Sequence, residues 1–480
     1  MKKLLLLTLS IGLLFLNVQS QESALEIPHK DINHFEGQIP STSYFHPVIL
    51  SSHECISDET RLEVRQNIAA NKENILLNYP DAFSTNRSGG HPLFVLPIKA
   101  KDGFDEYGYY TLNFQVDHNL TPNNNLLDYN CGARTYDWGS GNHKGTDYIL
   151  WPYPWKSMDE EIMEIIAAAD GIIVDKRDGN FDLNCANNGN PNWNGVVLEH
   201  ADGSQTWYWH FKNGAITSKN IGESVVAGEY LGAAGSSGSS DWPHLHFEVY
   251  DNNENLIDPY EGTCNTMNPN SWWLSQQDYF VPGINRLSTH KTNQFDEACP
   301  EIENTYEALD FFHGDDLFIR VFYRDIQEGA VTSFTILDPD NQVFANWDWA
   351  QNWGQDYATA HALWPLSVNG SWPDGVYTLQ VNFGGNVYES IFGVNTNLSN
   401  ESNNFTEISL YPNPVSDILN IEATNQMDEI VIYDIKGSIV LVTNLEKVNA
   451  KLNLEMLKSG VYFVHIESQG KMSIYKIIKK

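Results

Sequence analysis

Positive charge is scarce in this chain. Of 480 residues, 28 are Lys or Arg against 62 Asp or Glu, a formal net charge of -34. A mean field of that sign repels DNA, RNA and anionic lipid surfaces, so nucleic acid is set aside as a partner. The acidity names no substrate by itself and suits a soluble exported protein. Cysteine is also sparse. Cys55, Cys131, Cys185, Cys264 and Cys299 are too few and too dispersed for a disulfide scaffold, and they lack the close pairs of a four-cysteine zinc site. Export permits one or two bridges, and spacing does not choose their pairing. After residue 16 no segment approaches the roughly 18 apolar residues of a membrane span, so no transmembrane anchor is expected. The Gly/Ser-rich segment 232–240 lacks the GxxxxGK[ST] pattern and reads as a turn, not a phosphate loop.

What is present begins with a basic head, Met1 to Lys3, and an apolar run from Leu4 to Leu16 with the small Ser20 beyond it, the form of a signal peptide over 1–20. The length fits about three domains. Residues 22–130 read as an N-terminal region or prodomain, with a helix around TRLEVRQNIAANKENILL and strands in DEYGYYTLNFQVDH. From 131 to 264 short strands such as GIIVD, GVVLEH and HLHFEVY alternate with Asn-, Gly- and Ser-rich loops, which predicts a mostly antiparallel sheet. Residues 265–299 read as a linker, 300–397 as a β-sandwich of structural or substrate-positioning role, and 398–407 as a second linker. A compact β module, expected to be a small β-sandwich, follows over 408–480. The chain as a whole is expected to be mainly β.

The chemistry concentrates between 131 and 264. In HLHFEVY, strand alternation turns His244 and His246 to one face and Leu245, Phe247 and Val249 to the other, a division that packing alone does not explain. Upstream, His143 and Asp147 frame HKGTD, and His210 closes TWYWH. Imidazoles and a carboxylate are donors that Zn²⁺ accepts at about 2.0 to 2.2 Å, and a catalytic site asks for three of them with one position left for water. His200, at the end of GVVLEH, reads as a turn residue, and His53 as an ordinary surface imidazole. Asp175, Asp178, Asp182 and Asn184 suggest calcium, but the twelve-residue loop with its terminal Glu is missing.

Taken in order, HKGTD, AAADGIIV, GVVLEHADG, WYWHF, VVAGEYLGAAGSSGSS, HLHFEV and IDPY resemble the catalytic domain of the lysostaphin-type, LytM-like zinc metalloendopeptidases of peptidase family M23, over about Asn142 to Asp258. That resemblance implies an antiparallel arrangement of the duplicated-hybrid-motif kind. It implies Zn²⁺ held by His143, Asp147 and His246, with His210 and His244 assisting catalysis. Peptide hydrolysis needs a base for water and donors for the tetrahedral oxyanion. Sequence does not divide these tasks between the two imidazoles; the working assignment makes His244 the base and His210 the oxyanion donor. Tyr208 is expected either to contact substrate or to pack. The implied substrate is a peptide cross-link of peptidoglycan or a glycine-rich peptide or protein. Two insertions depart from the family pattern, KRDGNFDLNCANNGNPNWN and SMDEEIMEI, and both are expected to reshape the groove.

The C-terminal module resembles the sorting domain of cargo of the Bacteroidetes type IX secretion system, through YPNP at Tyr411 to Pro414, YDIKG from Tyr433, SGVYFV from Ser459 and the basic end at Lys476, Lys479 and Lys480. It implies export through the periplasm to the cell surface or medium, with the secretion machinery as a partner. The rival readings are a non-catalytic surface or binding protein that retains the peptidase fold, and an adhesin whose function lies in 300–397.

Overall fold

A computed structural model describes residues 25–26, 43–47, 56–83, 90–119, 121, 125–138, 141–186, 189–295, 299, 303–396, 398, 408–434, 439–468 and 471–480. The expected signal peptide, His53, Cys55 and nearly all of the linker 398–407 lie outside these residues. Strand dominates, in several separate sheets.

Two sheets build the central unit. The larger is an antiparallel sheet running in the order Ser224–Val225, Gly171–Arg177, Gly195–Glu199, Gln205–Trp209, His244–Tyr250, Thr146–Leu150 and Tyr110–Phe114, with Leu256–Ile257 also paired to His244–Tyr250. The smaller orders Phe211–Ile216, Tyr230–Ala234, Met163–Ile166 and Ile98–Ala100. Between them lies a core that includes Tyr148, Leu150, Ile165, Val196, Leu198, Tyr208, Phe211, Leu231, Leu245, Phe247 and Val249. Hydrogen bonding crosses the sequence division at 130, because Ile98–Ala100 and Tyr110–Phe114 are strands of these two sheets.

The other face of the larger sheet is also covered. The helix Asp58–Asn78 starts where the Ser57 hydroxyl accepts from the Thr60 N–H, and Asp58 and Glu59 occupy its first turn, where the helix dipole favours acids. Val64 and Ile68, with Ile56 just before the helix, pack on Val174, Trp193, Val197, Trp207, Trp209 and Tyr250. Burying this many large apolar side chains, at about 1.5 to 3 kcal/mol each, fixes the helix to the sheet.

Two five-stranded sheets form a sandwich around one core that includes Ile319, Val321, Phe334, Trp347, Trp349, Trp364, Tyr377 and Phe392. One of its strands, Gly283–His290, lies in the segment expected as a linker. Its sequence GINRLSTH shows no clean alternation because Asn285, Ser288, Thr289 and His290 are buried along with Ile284 and Leu287. Another strand, Tyr44–Pro47, pairs with Tyr357–Ser367 from far downstream. Polar contacts tie the sandwich to the central unit: Thr111 and Thr359 share a hydrogen bond at 2.8 Å, Trp151 Nε1 donates to the Tyr323 carbonyl at 3.0 Å, and Asn285 Nδ2 donates to the carbonyls of Tyr110 and Trp151.

The C-terminal module has its own core, including Leu419, Ile421, Ile430, Ile432, Leu452, Val464 and Ile477. Its five strands join in one hydrogen-bonded sheet, in which Ile418–Asp434 pairs first with Ile408–Tyr411 and then with Gly460–Ser468. Disulfides join Cys131 to Cys264 and Cys185 to Cys299, a pairing that spacing had left open. Among the described residues, no helix is long and apolar enough to cross a membrane.

Candidate active site

Strand register assembles the site. His246 lies directly opposite Asp147 on one neighbouring strand and Trp209 on the other. Alternation sends Leu245, Phe247 and Val249 into the core between the sheets, and His244, His246, Glu248 and Tyr250 to the face beneath the N-terminal helix. Asp147 Oδ1 is 2.7 Å from His246 Nδ1, Asp147 Oδ2 is 3.2 Å from His143 Nε2, and the two ring nitrogens are 3.2 Å apart. Gly145 makes room for this meeting. A Cβ there would stand 2.6 Å from His246 Nε2 and 2.8 Å from the Phe247 carbonyl oxygen, so any side chain would displace the imidazole.

The outward hydrogen bonds of the rings determine which atoms face inward. His143 Nδ1 donates to the Gln115 carbonyl at 2.7 Å, which leaves Nε2 as the acceptor. His246 Nε2 donates to Glu248 Oε1 at 2.9 Å, so Nδ1 is the nitrogen turned toward Asp147 and His143. Lone pairs of two imidazoles and a carboxylate therefore converge, and such a set needs a cation or a shared proton between its members. Tetrahedral coordination with bonds of about 2.1 Å separates ligand atoms by roughly 3.4 Å, close to the spacing found here. The donor chemistry and spacing thus fit a metal ion, and among the described residues this is the one cluster of three or more metal-type side chains. Burial opposes charge on Asp147, yet His143 and His246 together hold its carboxyl well below the usual range.

His210 sits where the chain leaves the larger sheet after Trp209 and enters the smaller one at Phe211, and it turns that corner in the left-handed region, at φ 67°. Its Nδ1 donates to the Ser237 carbonyl at 2.5 Å, and its ring centre is 4.5 Å from that of His244. His244 Nδ1 donates to the Trp242 carbonyl at 2.6 Å, and its Nε2 is 4.0 Å from Asp147 Oδ1. In both rings chemistry therefore falls to Nε2. The structure brings together all five residues that the sequence singled out, each 5% exposed or less. Beside His210 a cavity of about 20 Å³ is lined by Ile56, Ser57, Thr60, Asn190, Trp193 and Ser239, among others. That is room for one water and not for a peptide.

Other candidates fall elsewhere. His200 is buried against Phe94, with Nδ1 on the Asp170 carbonyl and Nε2 on Thr206, and burial lowers its pKa. Tyr208 packs in the core between the sheets and accepts the Ala168 N–H at 2.8 Å. The acidic loop braces itself: Asp178 accepts from Gly179 and Gly214, Asp182 accepts from Asn213, and Asp175 pairs with Arg177. Bridges from Leu183 and Ala186 to Ser236 and Ser240 join the first insertion to the Gly/Ser segment, and Cys185–Cys299 fastens it further. In the second, Ser157 to Asp159 end the short helix Pro154–Asp159, ahead of the strand Met163–Ile166.

Two residues of the site were missed in the sequence. Glu248, fully buried, accepts from His246, from Tyr250 Oη at 2.6 Å and from Arg61 Nη2 at 2.6 Å. Burial opposes its charge, but Arg61 and His246 hold it well below the usual carboxylate range. A signal existed for Glu248: it lies two positions after His246 on the same strand face and is an acid amid apolar neighbours. No local signal marks Arg61, which meets Glu248 across 187 residues.

A buried two-histidine, one-carboxylate cluster on an antiparallel sheet, with two more imidazoles beside it, is compatible with a metal-binding catalytic site. Residues 142–259 match the model described as Peptidase family M23, so the chain carries an M23 peptidase domain over that span. Residues 409–480 match the secretion system C-terminal sorting domain, which makes the chain a secreted or cell-surface protein of the type IX route. No curated protein matches the chain. Among solved structures, dimeric latent PorU from Porphyromonas gingivalis is similar at 12% identity, over 59% of this chain and 31% of that one, with a TM-score of 0.18. Bovine butyrophilin (9% identity, 40% and 98% covered, TM-score 0.14) and extracellular domains 3–5 of Drosophila OTK (9%, 36% and 62%, TM-score 0.13) are also similar. Likenesses this slight carry no functional argument.

Proposed function

We propose that the chain is an exported zinc metalloendopeptidase that hydrolyses peptide bonds in peptidoglycan cross-links or glycine-rich peptides. The observation that carries this reading is the convergence of three acceptor atoms, His143 Nε2, an Asp147 oxygen and His246 Nδ1, with both ring tautomers fixed by outward hydrogen bonds. These atoms would hold Zn²⁺, which when bound polarises the scissile carbonyl and lowers the pKa of a water toward about 7. His244 acts as general base through Nε2, because its Nδ1 proton is committed to the Trp242 carbonyl. His210, with Nδ1 committed to Ser237, donates to the oxyanion only when Nε2 also carries a proton. On this assignment the two imidazoles, with ring centres 4.5 Å apart, share the base and donor tasks through their Nε2 atoms. In this reading residues 131–264 form the core of a duplicated-hybrid-motif peptidase, 300–397 an accessory domain, and 408–480 a tail recognised by the type IX machinery.

The test is an assay of the purified, zinc-loaded protein on peptidoglycan and on glycine-rich peptides, with chelated and His246→Ala controls and the released ends identified by mass spectrometry. Cleavage abolished by both controls is expected, and the new termini report the bond. Stoichiometric zinc without cleavage of any substrate, after the segment before the helix is removed, would instead support a binding protein that retains the fold.

A further inference from the structure

The face of the sheet that carries the metal cluster is also the face on which the N-terminal helix lies, and the first turn of that helix reaches both segments that carry the cluster. Asp58 pairs with Lys144, the neighbour of His143 in HKGTD. One turn on, Arg61 pairs with Glu248, two positions beyond His246. The Arg61 fork is fully engaged: Nη2 donates to Glu248 Oε1 at 2.6 Å, Nε lies at 3.1 and 3.2 Å from the two carboxylate oxygens, and Nη1 donates to the Ile56 carbonyl at 2.6 Å. Tyr250 Oη fixes Oε2 from the other side. Oε1 is thereby aimed at His246 Nε2 at 2.9 Å.

Stability alone does not account for this arrangement. A buried ion pair roughly breaks even against apolar residues of the same volume, and the core of the patch under the helix is otherwise built of apolar side chains. The helix is held independently by Val64 and Ile68, by Lys72 on Glu199 and by Arg65 on Glu254. What the pair does accomplish is orientation. A metal-ligating imidazole needs its other nitrogen held by an acceptor, and a carboxylate in that place needs holding in turn.

We propose that Arg61 is a positioning residue of the metal centre, acting through Glu248 to fix the His246 ring with Nδ1 facing Asp147 and His143. This rests on the reading of His143, Asp147 and His246 as metal ligands. It makes the first turn of the N-terminal helix a working part of the catalytic unit, not a detachable prosegment.

The experiment uses the full chain with zinc and cobalt as probes. Zn²⁺ affinity is read by competition with a chromophoric chelator, and the Co²⁺ visible spectrum reports coordination geometry, for the unsubstituted protein, Arg61→Ala, Arg61→Lys, Arg65→Ala and His246→Ala. Arg61→Ala is expected to keep one bound metal but with affinity about 10- to 100-fold weaker and a shifted Co²⁺ band. Arg61→Lys, which restores charge without the fork, is expected between Arg61→Ala and the unsubstituted protein. Arg65→Ala, in an exposed pair on the same helix, is expected to match the unsubstituted protein. Circular dichroism establishes that each variant is folded, and if Arg61→Ala is not, Arg61→Lys decides on the same two readouts. A folded Arg61 variant with unchanged affinity and an unchanged Co²⁺ spectrum overturns the inference while His246→Ala still loses metal. An unsubstituted protein that binds neither metal overturns the metal-site reading itself.

Discussion

Histidines gather twice in this chain, in opposite electrostatic settings. In the sandwich, His46 stacks on His361 with ring centres 4.7 Å apart, close to Phe295, Phe322 and Trp151, and His290 bonds Ser288 and the Tyr306 carbonyl. The largest charge acting on these rings is the buried guanidinium of Arg320, stacked on Phe295, which outweighs the Glu307 carboxylate near His290. Burial first, and then that cation, push His290 down to about 4 and His361 well below the ordinary histidine value. In the peptidase region the imidazoles instead face Asp147, with Glu248 behind His246. Both clusters are buried, and both are rich in aromatic neighbours. What separates them is the sign of the dominant charge and the direction of the ring lone pairs: one cluster offers donors that could hold a cation, the other stays neutral beside one.

The contrast is broken most completely by removing a ligand. His246→Ala should abolish zinc binding and reduce peptide cleavage by roughly a thousandfold or more, as measured by metal analysis and end-group release. His361→Ala should leave zinc stoichiometry unchanged. Next in size, Glu248→Ala strands Arg61 without its carboxylate partner and should cost about 3 to 5 kcal/mol in urea denaturation. Acid provides a third test. A histidine depressed in the fold stays neutral while its unfolded counterpart takes up a proton, so the unfolded state binds more protons between the two pKa values. Stability from His290 is full above about 6.5 and is lost as pH falls toward 4, on the order of 3 kcal/mol. The Asp147 and Glu248 contributions, from depressed carboxyls, persist through that window and fall away only below about 4. Near-ultraviolet circular dichroism during acid titration should therefore show the sandwich loosening before the metal cluster does. The smallest effect is expected from His361→Phe, which keeps the ring stack and removes a buried Nδ1 that has no hydrogen-bond partner among the described residues. Calorimetry should show a gain of about 1 kcal/mol with zinc binding untouched.

How much could be read from sequence follows the range of each interaction. The two faces of HLHFEVY were legible because strand alternation is local, and Glu248 was legible by the same rule although the reading stopped at His246. HKGTD and HLH meet across about a hundred residues, yet both carried residue types whose spacing suggested ligands. Arg61 carried no such mark, since an arginine in a largely polar helix looks like any solvated cation until the fold delivers it to a buried acid. The strand Gly283–His290 was hidden in an expected linker because most of the side chains it buries are polar. The strand Tyr44–Pro47 was hidden because its partner, Tyr357–Ser367, belongs to a distant part of the chain. The pairing of Cys185 with Cys299 was closed to sequence reasoning for the same reason: nothing local says which thiol a loop will meet.

The small cavity beside His210 bears on the route this protein takes. Under the proposed activity, a protein bound for the exterior must cross the compartment that holds its own cell's wall. The space beside His210 has room for a lone solvent molecule and for no peptide. Ile56 and Ser57, which wall that cavity, also hold the first turn of the helix, one through its carbonyl on Arg61 and the other through its hydroxyl on the Thr60 N–H, so the piece of chain that narrows the approach to His210 is the same piece that steadies the ring of His246.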